Sequence, residues 1–171
     1  LYTYRILDPK TIQPKERGLL LVDLGFSCYR DLDAITSKAL KPTAIVTSVK
    51  TGDDQYKLQA IETGDASPAA LFTYKATVEK IVDGDTLRVV VDLGFNTRTR
   101  QYLRLRGIDC PEKDTEEGKR AANFVRARIK TADEILLSSS QSDKYDRYLA
   151  DVFFVDQNGK EQYLNNLLLE K

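Results

Sequence analysis

The chain has 171 residues, enough for one ordinary domain or two small ones, and its 26 Lys plus Arg balance its 26 Asp plus Glu. With no net charge, an anion site has to be a local concentration of cations. The absence of histidine removes paired-histidine acid–base chemistry, histidine-metal nucleases, zinc proteases and Ser-His-Asp triads together, so catalysis would fall to carboxylates, cations and a bound metal.

Residues 1–70 contain apolar segments at Leu19–Val22, Ala44–Val49 and Tyr56–Ile61, the last two joined by the turn-rich Thr51-Gly52-Asp53-Asp54 and expected to form a hairpin. Between them Leu32 to Leu40 has the pattern of a short helix capped by Asp33 and ended before Pro42. Thr63 to Ala70 is small and polar with one proline, the composition of a linker, which places a domain boundary near residue 70. An internal repeat supports that division. Leu1-Tyr2-Thr3-Tyr4-Arg5 echoes Leu71-Phe72-Thr73-Tyr74-Lys75, and Val22-Asp23-Leu24-Gly25-Phe26 recurs unchanged as Val91-Asp92-Leu93-Gly94-Phe95. Residues 1–70 are therefore expected to be a shortened copy of the architecture in 71–171, with Pro14-Lys15-Glu16-Arg17 standing where the second copy has Asp83-Gly84-Asp85-Thr86. A bland reading of the recurring string, as a favourable strand and turn met twice, is the alternative.

The second copy starts with a strand over Thr73–Val82, turns at Asp83-Gly84-Asp85-Thr86 and returns through Leu87–Val91. A third strand spans Arg98–Ile108, in which Leu103 and Leu105 alternate with Arg104 and Arg106, putting leucines on one face and guanidiniums on the other. It runs into the organising stretch of the chain. Gly107 lets the backbone bend and Pro111 stiffens its neighbours, so Asp109 and Glu112 sit on a rigid turn and repel unless a metal ion or an arginine lies between them. Asp114-Thr115-Glu116-Glu117 has capping-box spacing, and Ala121, Phe124, Val125, Ile129 and Ala132 form one helical stripe. Ile135–Leu137 and Tyr148–Val155 read as strands flanking a polar Ser138–Arg147, Asn158-Gly159 marks a hairpin, and Asn165 is expected to cap a last helix. Five strands with a helix between the third and fourth is the order of an oligonucleotide-binding barrel, the OB-fold.

Three pieces of this chain carry chemistry: Asp83 and Asp85 on the first turn, Arg104, Asp109 and Glu112 after the third strand, and Lys144, Tyr145 and Arg147 before the fifth. Singly, each has an ordinary explanation as a hairpin turn, a solvated turn or a plain loop. Together, in this order on a barrel, they point to a site.

The strings Val82-Asp83-Gly84-Asp85-Thr86, Arg104-Leu105-Arg106-Gly107-Ile108-Asp109-Cys110-Pro111-Glu112, Gly118 with Ala121 and Phe124, and Asp143-Lys144-Tyr145-Asp146-Arg147 closely resemble the staphylococcal nuclease family over about residues 73–171. The resemblance implies a mainly β fold, a five-stranded OB barrel with helices, here preceded by a smaller degenerate OB-like domain. It implies a Ca²⁺-dependent phosphodiesterase cutting DNA and RNA to leave 3′-phosphates. By matching position, Asp85 and Asp109 would bind Ca²⁺ through carboxylates and Cys110 through its backbone carbonyl, Arg104 and Arg147 would be the catalytic arginines, and Glu112 the general base. Lys144 and Tyr145 would hold a terminal phosphate and contact the nucleotide. The sequence departs from the pattern at four places: Cys110 where threonine is commoner, Asp146 in place of a glycine beside Arg147, a short loop after Glu112, and an end where the last helix usually continues.

A non-catalytic binding module of the same fold, as in the degenerate repeats of Tudor-containing proteins, is the runner-up, and residues 1–70 as a protein-interaction or substrate-positioning module is the third expectation. Cys28 and Cys110 are expected as free thiols, with one disulfide as the alternative. No apolar run reaches membrane-spanning length and no signal pattern is visible, so no membrane partner is expected. Beginning at Leu1, the chain reads as a processed form or a fragment, which leaves location open.

Overall fold

The repeated strings adopt the same backbone twice. In the computed structural model, which describes residues 1–14, 18–61, 71–132, 134–142 and 147–170, Gly25, Phe26 and Ser27 take φ of 83°, 52° and 57°, and Gly94, Phe95 and Asn96 take 79°, 52° and 53°. Tyr2 and Phe72 match as well, at 54° and 56°. A non-glycine residue in this left-handed region is strained by about 1–2 kcal/mol. The matching φ values extend the recurrence from sequence to local backbone. Burial offsets the strain, with Phe26 and Phe95 both in the core.

Two compact units result: Leu1–Thr73 with Leu93–Thr97, and Tyr74–Asp92 with Arg98–Lys171. In the first, β1 (Thr3–Leu7), β2 (Leu21–Gly25), β3 (Cys28–Asp31), β4 (Ile45–Gly52) and β5 (Gln55–Ala60) form an antiparallel sheet in the order β3-β2-β1-β4-β5. Alternation buries Tyr4 and Ile6 on β1, Val22 and Leu24 on β2 and Val46 on β4. The helix α1 (Ala34–Ala39) follows β3, its start capped as expected by Asp33, which accepts from the Thr36 amide at 2.8 Å. Phe95 is seated in this unit: its ring centroid lies 5.4 Å from that of Tyr4 and 5.0 Å from that of Tyr56, and the Arg30 guanidinium stands 4.7 Å over it. The Tyr4 hydroxyl donates to the Leu93 carbonyl at 2.7 Å.

The second unit builds its sheet from β6 (Thr73–Asp83), β7 (Thr86–Gly94), β8 (Thr97–Leu105), β9 (Ile135–Ser142), β10 (Tyr148–Val155) and β11 (Glu161–Tyr163). Its order is β11-β10-β8-β7-β6-β9, and β10 also pairs with β9, which closes β6-β7-β8-β10-β9 into a five-stranded barrel. The pair β8–β10 is parallel, with Leu103, Arg104 and Leu105 opposite Tyr148, Leu149 and Ala150. This is the OB-fold. Cutting the ring between its third and fifth strands gives third-second-first-fourth-fifth, the order of the first unit's sheet. Among the described residues no pairing joins β3 to β5, so that sheet stays open.

The helix α2 (Glu116–Ile129) lies between β8 and β9, capped by Thr115, whose hydroxyl accepts from the Gly118 amide at 3.0 Å. It buries Gly118, Ala122, Val125 and Ile129, while Ala121, Phe124 and Ala132 of the expected stripe are half-buried. The strand β9 continues through Ser142, beyond the expected Leu137, because buried Ser139 satisfies its hydroxyl on the Leu149 carbonyl at 2.8 Å. Asn165 does not cap the last helix, α3 (Leu164–Leu169). It is almost fully buried and ties the β8–β10 seam, accepting from the Val152 amide at 3.0 Å and donating to the carbonyls of Ala150 and Arg106 at 3.0 and 3.1 Å. Both cysteines are free thiols. Among the described residues no helix is long and apolar enough to cross a membrane. The expected linker at 63–70 and the segment at Lys15, Glu16 and Arg17 lie outside the described residues.

Candidate active site

The inward leucines of β8 orient the arginine between them. Leu103 and Leu105 are fully buried, so Arg104 points to the other side of the strand. Its Nη2 donates to the Ile108 carbonyl at 3.1 Å and to Asp109 Oδ1 at 2.9 Å, and lies 3.5 Å from Asp85 Oδ2. An arginine thus stands between two of the site carboxylates. The two differ in environment: the Asp85 side chain is 7% exposed and that of Asp109 93%, so Arg104 chiefly serves to compensate the buried one.

Close packing brings the first turn here. A Cβ on Gly84 would lie 2.6 Å from that of Ala121 and 2.9 Å from Cys110 Sγ, so only glycine lets the Asp83–Asp85 turn press against the 108–112 stretch and α2. The Asp85 carbonyl accepts from the Leu105 amide at 2.8 Å, and its Oδ2 accepts from the Cys110 amide at 3.0 Å. Its Oδ1 accepts from the Thr86 hydroxyl at 2.9 Å, and that hydroxyl in turn accepts from Arg147 Nη1 at 3.3 Å. The three separated pieces of the sequence are therefore joined by one chain of polar contacts running Arg147, Thr86, Asp85, Arg104, Asp109. Arg106 goes elsewhere, to Asp151 Oδ2 at 3.2 Å.

Glu112 comes two residues after Cys110 with its side chain exposed. Its backbone is fixed: the carbonyl accepts from the Thr115 amide at 2.9 Å and hydroxyl at 2.7 Å, and the start of α2 presses so close that a Cβ on Gly118 would lie 1.9 Å from it. Lys144 and Tyr145 lie outside the described residues. Burial, then the charges of Asp85 and Asp109, push the Cys110 thiol above its ordinary range, so at neutral pH it stays protonated. Asp109 and Cys110 also border an open cleft of about 600 Å³ lined by Pro111, Ala121, Phe124 and Leu168.

Residues 102–171 match the family described as staphylococcal nuclease homologue. The match takes in Arg104, Asp109, Cys110, Glu112, Lys144, Tyr145 and Arg147, whereas Asp83, Asp85 and Thr86 precede it, and of these Asp85 and Thr86 join its charged residues through the contacts above. No curated protein matches the chain.

A divalent metal would need oxygen donors. The second unit offers two carboxylates at Arg104, those of Asp85 and Asp109, together with Asp83, one of whose carboxylate oxygens is buried without a hydrogen-bond partner. Among the described residues no three acidic or thiol side chains converge. Such a set fits a hard cation that takes most of its ligands from water and substrate. Sequence reasoning assigned no role to Thr86; the only signal was its place beside Asp85, where a hydroxyl can both donate to a carboxylate and accept from a guanidinium.

Proposed function

We propose that the chain is a Ca²⁺-dependent phosphodiesterase that hydrolyses DNA and RNA. The observation that carries this reading is the polar chain from Arg147 through Thr86 and Asp85 to Arg104 and Asp109, which gathers two guanidiniums and two carboxylates from three parts of the sequence. Two guanidiniums, permanently charged and able to bind phosphate bidentately, suit a pentacoordinate phosphorane better than the substrate that precedes it.

In this reading Asp85 and Asp109 would hold the cation through carboxylate oxygens and Cys110 through its backbone carbonyl. Bound Ca²⁺ would supply Lewis-acid polarisation of the phosphoryl group. Asp85 and Asp109 would then turn from Arg104 to the ion, leaving more of the Arg104 fork for phosphate. Glu112, on a turn held by its own carbonyl, accepts a proton from water as the water oxygen bonds to phosphorus. The bond from phosphorus to the 5′-oxygen breaks and that oxygen takes a proton from solvent, leaving a 3′-phosphate and a 5′-hydroxyl. Lys144 and Tyr145 would hold a terminal phosphate and the nucleotide.

The engagement of Asp85 and Asp109 by Arg104 favours a second reading, a nucleic-acid binding module of the same fold without turnover. Cleavage of single-stranded DNA by the intact chain, in Ca²⁺ and in EDTA with the product ends analysed, separates the two. The phosphodiesterase reading predicts cleavage in Ca²⁺ alone with 3′-phosphate ends. Binding without cleavage in either condition leaves the module.

A further inference from the structure

Strand β8 carries more charge than the proposed reaction uses. Because Leu103 and Leu105 take its inner face, the alternating residues Arg98, Arg100, Tyr102 and Arg104 share the outer one. Arg98 and Arg100 are exposed, and 46% of Tyr102 is open to solvent although it lies next to the half-buried Arg104. At about 3.3 Å per residue this row extends roughly 20 Å from Arg104 to Arg98. Glu79 on β6 pairs with Arg100 through two bonds of 2.8 and 2.9 Å and approaches Arg88 of β7 at 3.2 Å. That pairing positions Arg100 and offsets one charge, while Arg98 makes no ion pair among the described residues. In a chain with no net charge, an arginine row interrupted by one open aromatic ring is a local feature that the core does not require.

We propose that the outer face of β8 is a binding strip for single-stranded nucleic acid, its phosphates following Arg104, Arg100 and Arg98 and one base stacking on Tyr102. The proposal rests on the reading of the site as one that takes nucleic acid, and it adds the form of the substrate: a single strand of about four nucleotides or more, the smallest footprint usual for this fold. The second and third strands of an OB barrel form the face suited to an oligonucleotide. Base stacking is sequence-tolerant, so the strip lengthens the site without imposing a sequence. Duplex DNA keeps its bases paired and gives Tyr102 nothing to stack on. An acidic peptide would satisfy the arginines alone, and the open ring between them favours the nucleic acid.

The test is the fluorescence anisotropy of labelled dodecathymidylate with the intact chain at low salt in EDTA, where binding is read without cleavage. Thymidine dinucleotide and an acidic peptide serve as competitors, and the variants are Tyr102→Ala, Tyr102→Phe and Arg98→Glu. The strip predicts that Tyr102→Ala weakens dodecamer binding about tenfold or more, that Tyr102→Phe retains it, and that Arg98→Glu weakens it and flattens its salt dependence. Dinucleotide competition should not change in any variant. Unchanged dodecamer affinity in both Tyr102→Ala and Arg98→Glu, equal losses for dodecamer and dinucleotide, or competition by the peptide as strong as by the dodecamer would overturn it. Failure to cleave in Ca²⁺ with this binding pattern intact would strike the phosphodiesterase reading alone.

Discussion

In the second unit the third and fifth barrel strands pair in parallel through Leu103, Arg104 and Leu105, whereas among the described residues their counterparts in the first unit, β3 and β5, remain at opposite edges of an open sheet. The difference accounts for how the second unit assembles its candidate site. Closure sets Leu149 opposite Arg104, and so brings Arg147, two residues earlier in the chain, to the turn that carries Asp85 and Thr86. Asn165 reinforces the same seam from α3. In the first unit Tyr29, Arg30 and Asp31 of β3 are exposed, and the guanidinium of Arg30 rests on the Phe95 ring rather than on a carboxylate. The same strand order therefore occurs in both units, and the closing strand pair accompanies the candidate active site.

The largest expected effect compares an arginine from each unit. Arg147→Ala should lower Ca²⁺-supported cleavage of single-stranded DNA by about 10²- to 10³-fold, the usual loss for one group that stabilises transition-state charge. Arg30→Ala should leave the rate within about twofold. Similar losses in both variants would erase the distinction between the units.

Stability should follow the seam. Leu105→Ala removes a fully buried side chain from the closing strand and is expected to cost about 2–5 kcal/mol in urea unfolding. Asn165→Ala strands the Val152 amide and takes a donor from the Ala150 and Arg106 carbonyls, for about 1–3 kcal/mol. Ile35→Ala, at an 83% exposed position on α1, should change stability by less than about 0.5 kcal/mol.

The smallest effect concerns pH. Tyr163, partly buried and donating to Asp151 at 2.7 Å, has its phenol pushed up to about 12 from the ordinary 10 by burial and then by that carboxylate. A raised acid favours the folded state while it stays protonated. Its contribution is full below pH 10 and is lost as pH rises toward 12. Ultraviolet titration of the native chain should contain a late step from Tyr163 near pH 12, and Tyr163→Phe should remove that step. Its persistence in the variant would refute the assignment.

Much of this was legible in the sequence because the relevant signals are local. Alternation on β7 and β8, the turns at Asp83-Gly84 and Asn158-Gly159, and the Thr115 cap each arise from a few neighbouring residues. Arg104, Asp109 and Asp85 stood out instead through the joint presence of three separated charged pieces on one expected barrel. Contacts with distant partners were not legible. Asn165 looks like a cap until the β8–β10 seam places two carbonyls and an amide beside it, and Thr86 looks like a turn residue until Arg147 arrives. Strand β3 was missed because it is four largely exposed residues entered through Phe26 and Ser27 at positive φ, where glycine or asparagine would be expected. That Arg104, rather than Glu112, would stand against Asp109 depends on the side-chain geometry of a partly exposed turn, which residue spacing does not specify.

The most direct test of catalysis at this site is the single-turnover rate of single-stranded DNA cleavage in Ca²⁺ by the intact chain and by Glu112→Gln, with thermal midpoints measured alongside. Because Glu112 is exposed and its turn is held by the backbone carbonyl, the substitution should leave the midpoint unchanged. The rate should fall by at least about 10²-fold, the scale of a lost general base. Equal rates in the two proteins, or no cleavage by the intact folded chain, would contradict the assignment of Glu112 and of the reaction.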